Sequence, residues 1–324
     1  MAFQLKAKEP VSDGIRRNVR RQIEKALDRL SAKSEPHQRD ASKDEAAPRD
    51  IRKCFKKVRA ALRLVREDLG NEIYRDENWF FRDAGRLLRE VRDAEVLVEA
   101  VDKLALLPAA EAVESGAFAR IHETLLANHR EVTSRAREEG AFAAVQEVAT
   151  QALTRLADWT IERDGWAALE GGLRRTYEAG RRALALAAEN SSTENLHEWR
   201  KQARHLWGQL QLLEAAWTGS ENELGDRTRK LVQLLGDDHD LAILRQVLAA
   251  DPPAYGGHRI LKEVFAVIDS RREELERQAF ALGRTLYEES PKVFTSRIEA
   301  YWKAWVAEIE AAKPPAGLRS VSGE

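Results

Sequence analysis

Along most of this chain, apolar residues return at intervals of three and four, the spacing that gathers them on one side of an α-helix. Ile51, Phe55, Val58 and Leu62 follow that rule, as do Leu196, Trp199, Ala203, Leu206 and Leu210. Prolines 10, 36, 48, 108, 252, 253 and 291 fall between the periodic stretches, where helices are expected to end. The pattern predicts helices over 12–31, 49–69, 75–105, 110–163, 171–190, 194–217, 221–249, 257–288 and 292–312, the fourth long enough for two pieces. No segment reads as a strand, so the expected fold is all-α. Residues 32–47 are polar and aperiodic and read as a mobile loop, and 313–324 read as a flexible tail.

The periodic segments repeat. DGIRRNVRR (13–21) lies over GGLRRTYEA (171–179), and RDIRKCFKKVRAALRLV (49–65) over HEWRKQARHLWGQLQLL (197–213). FRDAGRLLREVRDAEVL (81–97) lies over TRKLVQLLGDDHDLAIL (228–244). Similar segments recurring in the same order about 150 residues apart point to a tandem duplication of a helical bundle, with repeats over 11–165 and 170–312.

Charge changes the picture where it is segregated. The whole chain carries a net charge of −1, yet residues 49–66 hold eight basic residues against one acid, while 101–170 hold seven basic and twelve acidic residues. A solvated helix face ordinarily mixes signs, because like charges one turn apart cost about 0.2–0.5 kcal/mol and opposite pairs gain as much. The 49–66 helix forgoes that gain at nearly every position. Its cations sit opposite its apolar side, and the 194–217 helix repeats the plan.

Cationic faces recurring in duplicated positions indicate a surface for a polyanion. The candidate contacts are Arg16 and Arg20 in the first helix, and Arg49, Arg52, Lys53, Lys56, Lys57, Arg59 and Arg63 in the second. Arg82, Arg86 and Arg89 follow in the third, and Arg174, Arg181 and Arg182 in the fifth. His197, Arg200, Lys201, Arg204 and His205 complete the track in the sixth helix, with Arg229 in the seventh. Arginine offers a planar fork for phosphate oxygens and lysine a compact charge. The aromatics of these helices, Phe55 and Trp199, point to the apolar side, which disfavours stacking of single-stranded bases. Duplex nucleic acid remains an alternative through its backbone.

These segments resemble the CHAD domain (conserved histidine α-helical domain). Its signature reads roughly His-x-x-Arg, a hydrophobic or basic residue, then basic-basic-hydrophobic-Arg. LHEWRKQARHL (196–206) is similar to the second copy of that signature, GLRRTYEAGRRAL (172–184) to the opening helix of that half, REVRDAEVL (89–97) to the Arg-Asp motif of the first half, and LGDDHDLAIL (235–244) to the partner motif of the second. The resemblance spans about residues 11–312. It implies two four-helix bundles about a pseudo-twofold axis, a basic groove between them, and inorganic polyphosphate as ligand. The chain departs from the signature at Arg49, where a histidine is expected, and at Trp207, which replaces an arginine. His239 stands where the first half has Arg92.

No metal, cofactor or catalytic residue is expected. His197 and His205 are two turns apart among cations, which does not suit a metal ion. Glu308, Glu310 and Lys313 have the wrong spacing for a triphosphatase Glu-x-Glu-x-Lys strand, and lie in a predicted helix. The acids around His239 read as salt-bridge partners. With cations around it, His197 is expected to be neutral without ligand and charged beside a polyanion, so that binding tightens as pH falls. A lone cysteine, no apolar leader and no stretch approaching 18 apolar residues make a cytoplasmic protein the expectation, with polyphosphate granules as one destination. An accessory subunit of a phosphate-processing enzyme is a further reading.

Overall fold

The computed structural model describes residues 2–31, 47–217 and 223–312. Its helices are α1 (Val11–Ser31), α2 (Ala47–Leu64), the short α3 (Arg66–Leu69), α4 (Asn71–Arg86), α5 (Arg89–Ala105), α6 (Ala117–Glu138) and α7 (Ala141–Arg155). They continue as α8 (Glu170–Glu189), α9 (Thr193–Leu213), α10 (Glu223–Ala250), α11 (Gly257–Leu286) and α12 (Pro291–Ala311). No strand occurs among the described residues, and the all-α expectation holds.

Helix ends follow local chemistry. Ser192 and Ser290 cap α9 and α12, accepting hydrogen bonds from the backbone N–H of Asn195 and Val293 at 3.2 and 3.3 Å. Gly140, with φ of 72°, separates α6 from α7 inside the stretch 110–163, so that stretch is two helices. The predicted helix 75–105 is likewise broken at Leu87 and Leu88, which turns Leu87 out to solvent while Leu88 is buried. Ala47 and Pro48 open α2 rather than closing a loop. The rest of the predicted loop, and the tail 313–324, lie outside the described residues.

The apolar faces merge into one core. Ile51, Phe55, Val58 and Leu62 from α2 are buried, as are Leu196, Trp199, Ala203, Leu206 and Leu210 from α9. Burying one such side chain fully is worth about 1.5–3 kcal/mol. Trp199 stacks on Phe280 with ring centroids 5.3 Å apart, and Tyr177 stacks on Phe294 at 3.9 Å.

In the first half α1 packs on α2 and α7, and α5 packs on α6; in the second, α8 packs on α9 and α12, and α10 on α11. Across the middle α2 meets α9, and α5 meets α10. The α2–α9 crossing is close because both helices present their smallest residues: a Cβ added to Gly208 would lie 2.6 Å from the Cβ of Ala60. Nearby, Gly172 of α8 rests directly on the backbone of α2, with the Leu64 carbonyl inside the space a Cβ would need. These contacts bring two helices with cationic faces side by side.

Candidate anion-binding site

Opposite their apolar sides, α2 and α9 share a narrow cleft of about 60 Å³ whose lining includes Lys53, Lys56, Lys57, Arg59, Arg63, Arg204 and His205. Few of these cations meet an acid. Among the described residues, none of Arg52, Lys56, Arg59, Arg63 and Arg204 has a carboxylate within 4.0 Å. Three of the guanidinium groups are held by neutral acceptors instead. Arg59 donates from Nε to Asn78 Oδ1 at 3.0 Å, Arg63 donates to the Arg59 carbonyl at 2.9 Å, and Arg52 donates to the Gly85 carbonyl. Such bonds fix geometry and leave the positive charge uncompensated.

The electrostatic consequence is a set of depressed pKa values. Burial, then the charges of Arg200, Arg59, Arg63 and Arg52, push Arg204 down to about 9, which still leaves it charged at neutral pH. Burial followed by Arg63 lowers Arg59 to about 10. Lys56 is pushed down to about 6, by burial first and then by Arg204, Arg52, Arg200 and Arg92. By accessible surface Lys56 is nevertheless exposed. Both descriptions fit an amine on the floor of an open cleft, crowded by protein yet reached by water. Water entering the cleft weakens the burial contribution, whereas the repulsion among the cations persists.

The cleft is graded along its length. At the end where α5 and α10 meet, carboxylates return: Arg200 lies 3.8 Å from Asp240, and Arg92 pairs with Glu95 at 2.8 Å and with Glu99 at 3.1 Å. Beyond lies a larger cavity of about 220 Å³ between α5, α10 and α11, where Lys103 is bound to Asp237 at 2.8 Å. That cavity mixes signs and does not favour an anion.

Three histidines border the cationic row. His197 and His239 approach through their Nδ1 atoms at 3.4 Å, an arrangement in which a neutral ring must donate to its neighbour. Burial and Arg200 hold His239 down to about 3; burial and Arg200 also lower His197, and burial and Arg63 place His205 well below the usual range. Asp237, Asp238 and Asp240, which flank His239, face Lys103, Arg272 and Arg200 respectively. Among the described residues, no three His, Cys, Asp or Glu side chains are grouped to hold a metal ion.

A model of the CHAD domain matches residues 21–249. The chain belongs to the CHAD family. Its fold is similar to the crystal structure of the CHAD domain from the plant Ricinus communis, with a TM-score of 0.53 and 13% identity over 94% of this chain and 95% of that one. No curated protein matches the chain.

Within this CHAD chain most of the remaining candidate contacts are engaged elsewhere. Arg16 donates to the Trp159 carbonyl at 2.5 Å, Arg49 pairs with Glu99 at 2.8 Å, and Arg89 pairs with Asp93 at 3.0 Å. Arg82 and Arg86 share Asp83, Arg174 faces Glu170, Arg182 faces Glu178, Arg229 faces Asp226, and Lys201 is bound to Glu198. These are the mixed-sign faces of solvated helices, each pair worth about 0–1 kcal/mol. Arg20 and Arg181 are exposed. Lys57 turns towards the N-terminal segment, with Nζ 4.8 Å from the centre of the Phe3 ring.

Two residues beside the cleft escaped the list of candidates. Arg92 acts on both Lys56 and Arg200, and His239 contacts His197. Both occupy equivalent positions in the 81–97 and 228–244 segments, which was the available signal.

The depressed bases make stability depend on pH. Between about pH 6 and 9 the unfolded chain keeps a proton on residue 56 that the folded protein has released, so the unfolded state binds more protons and stability rises with pH. The melting temperature of ligand-free protein is therefore expected to increase from pH 6 to pH 9, and this slope is expected to diminish in Lys56→Met. Differential scanning calorimetry at constant ionic strength measures both.

Proposed function

We propose that this chain binds inorganic polyphosphate along the cleft between α2 and α9. The observation that carries the reading is the row Arg52, Lys56, Arg59, Arg63 and Arg204, which lacks acid partners among the described residues and in which Arg52, Arg59 and Arg63 are fixed by neutral acceptors. Such a row repels itself, and a bound polyanion would remove the repulsion while using the guanidinium forks already oriented. The family association with polyphosphate supports the same ligand.

The matching helix pairings support two equivalent bundles, 11–165 and 170–312, related by a pseudo-twofold axis with the cationic cleft as the basic groove between them. The reading is of a binding protein with no catalytic step and no cofactor, working in phosphate metabolism or at polyphosphate granules. Nucleic acid is the competing ligand; Phe55 and Trp199 are buried and offer it no stacking platform, whereas the half-buried Trp207 does line the cleft.

Titration of labelled polyphosphate against duplex DNA at matched salt tests the proposal. Polyphosphate is expected to win at every salt concentration. Its log Kobs should fall with log salt by about 0.7–0.9 for each neutralised charge, by analogy with nucleic acids. DNA binding more tightly than polyphosphate at the same salt overturns it.

A further inference from the structure

We propose that Lys56 is a modification site for acyl phosphates, its amine accepting the acyl group while neighbouring arginines hold the phosphate. The inference rests on reading the cleft as an anion site. It adds to that reading a reaction, and a means of switching the site off.

Three observations converge on this one amine. Lys56 lines the cleft and is exposed, so a small molecule can reach it. It has no carboxylate within 4.0 Å among the described residues to keep it protonated. The charged groups acting on it are Arg52 from its own helix, Arg200 and Arg204 from α9 and Arg92 from α5, and all are cations. Burial first, and then those cations, push its pKa down to about 6, which leaves much of the amine neutral at physiological pH. An ordinary lysine is almost fully protonated there and has no lone pair to offer.

The same arginines recruit one class of electrophile. A mixed carboxylic–phosphoric anhydride carries its negative charge on the phosphate, next to an activated carbonyl carbon. With the phosphate on the guanidinium groups, the Nζ lone pair attacks the carbonyl carbon and an N–C bond forms. The C–O bond to phosphate then breaks, inorganic phosphate leaves with the electron pair, and the nitrogen loses its extra proton to solvent. The product is a neutral amide. It cannot become the ammonium that a bound polyanion would otherwise favour, so acylation lowers affinity for polyphosphate.

The test uses the intact chain, acetyl phosphate and peptide mass mapping. At pH 7, Lys56 is expected to be acetylated at least about tenfold faster than the surface residue Lys303, and its rate should level off above about pH 7. Salt and added polyphosphate should slow Lys56 and leave Lys303 unaffected. With the uncharged reagent N-acetoxysuccinimide, the preference for Lys56 should persist but lose its salt dependence. Equal labelling of the two lysines, or a Lys56 rate still climbing about tenfold per pH unit between 7 and 9, overturns the inference. An identical salt response with both reagents overturns the role of the arginines. Polyphosphate titrations of the unmodified protein separate the two readings. Binding without Lys56 preference sinks this inference alone, while Lys56 acetylation without polyphosphate binding sinks the proposed ligand and leaves the acyl-phosphate site standing.

Discussion

Replacing Lys53, Lys56 and Lys57 together by glutamate is expected to weaken polyphosphate binding by about 10³-fold at moderate salt. A hydrogen bond to a charged partner is worth about 1.5–3 kcal/mol, and the loss of three such contacts amounts to at least about 4 kcal/mol, or three decades in Kd. The contributions are not equal. Lys56 sits among Arg52, Arg200 and Arg204, whereas Lys57 is turned onto the Phe3 ring. Folding should survive, because none of the three side chains is buried and an acid placed beside Arg204 relieves repulsion. Circular dichroism and thermal melting check that point before fluorescence anisotropy reads the Kd. The contrasting variant reverses Arg82 and Arg86, which are exposed or half-buried and already share Asp83. It is expected to change affinity by no more than about fivefold. If both variants bind equally well, the α2 stripe is not the site.

Gly172→Ala is expected to destabilise the protein by about 3 kcal/mol, at the upper end of the usual cost of overpacking. The neighbour is backbone, the Arg63 and Leu64 carbonyls of α2, so no side chain can rotate away. Relief requires α8 and α2 to separate. The helix propensity gained by replacing glycine, about 1 kcal/mol, offsets only part of the strain. Urea denaturation should show a lower midpoint with an unchanged slope. Because Arg63 belongs to the displaced turn, polyphosphate affinity should fall as well. An unchanged midpoint would mean that α8 does not rest on α2 as described.

The helices and their buried faces were readable from periodicity alone, since Ile51, Phe55, Trp199 and Leu206 had to be covered by something. The break at Leu87 and Leu88 was not, because neither residue is a helix breaker and the apolar spacing runs on through it. The cationic stripes were visible, but periodicity reports which side of a helix a residue occupies and not what lies opposite. The clue that α2 and α9 meet was the pair of small residues Ala60 and Gly208. Local acids decided which cations remained available. Asp83 stands beside Arg82 and one turn before Arg86, and Glu198 stands one turn before Lys201. Sequence spacing contained that information, and the density of basic residues obscured it.

The neutral acceptors behind Arg52, Arg59 and Arg63 have a statistical consequence. A carboxylate partner would give each guanidinium its own fixed counter-charge and so mark it as distinct. Asn78 and two main-chain carbonyls give these three guanidinium groups no such mark. A ligand built from identical phosphate units would then find many equivalent registers along the row, each shifted by one unit. Doubling the length of a long chain roughly doubles the number of registers, which adds about 0.4 kcal/mol without any new contact. Preference for long chains would arise from counting alone.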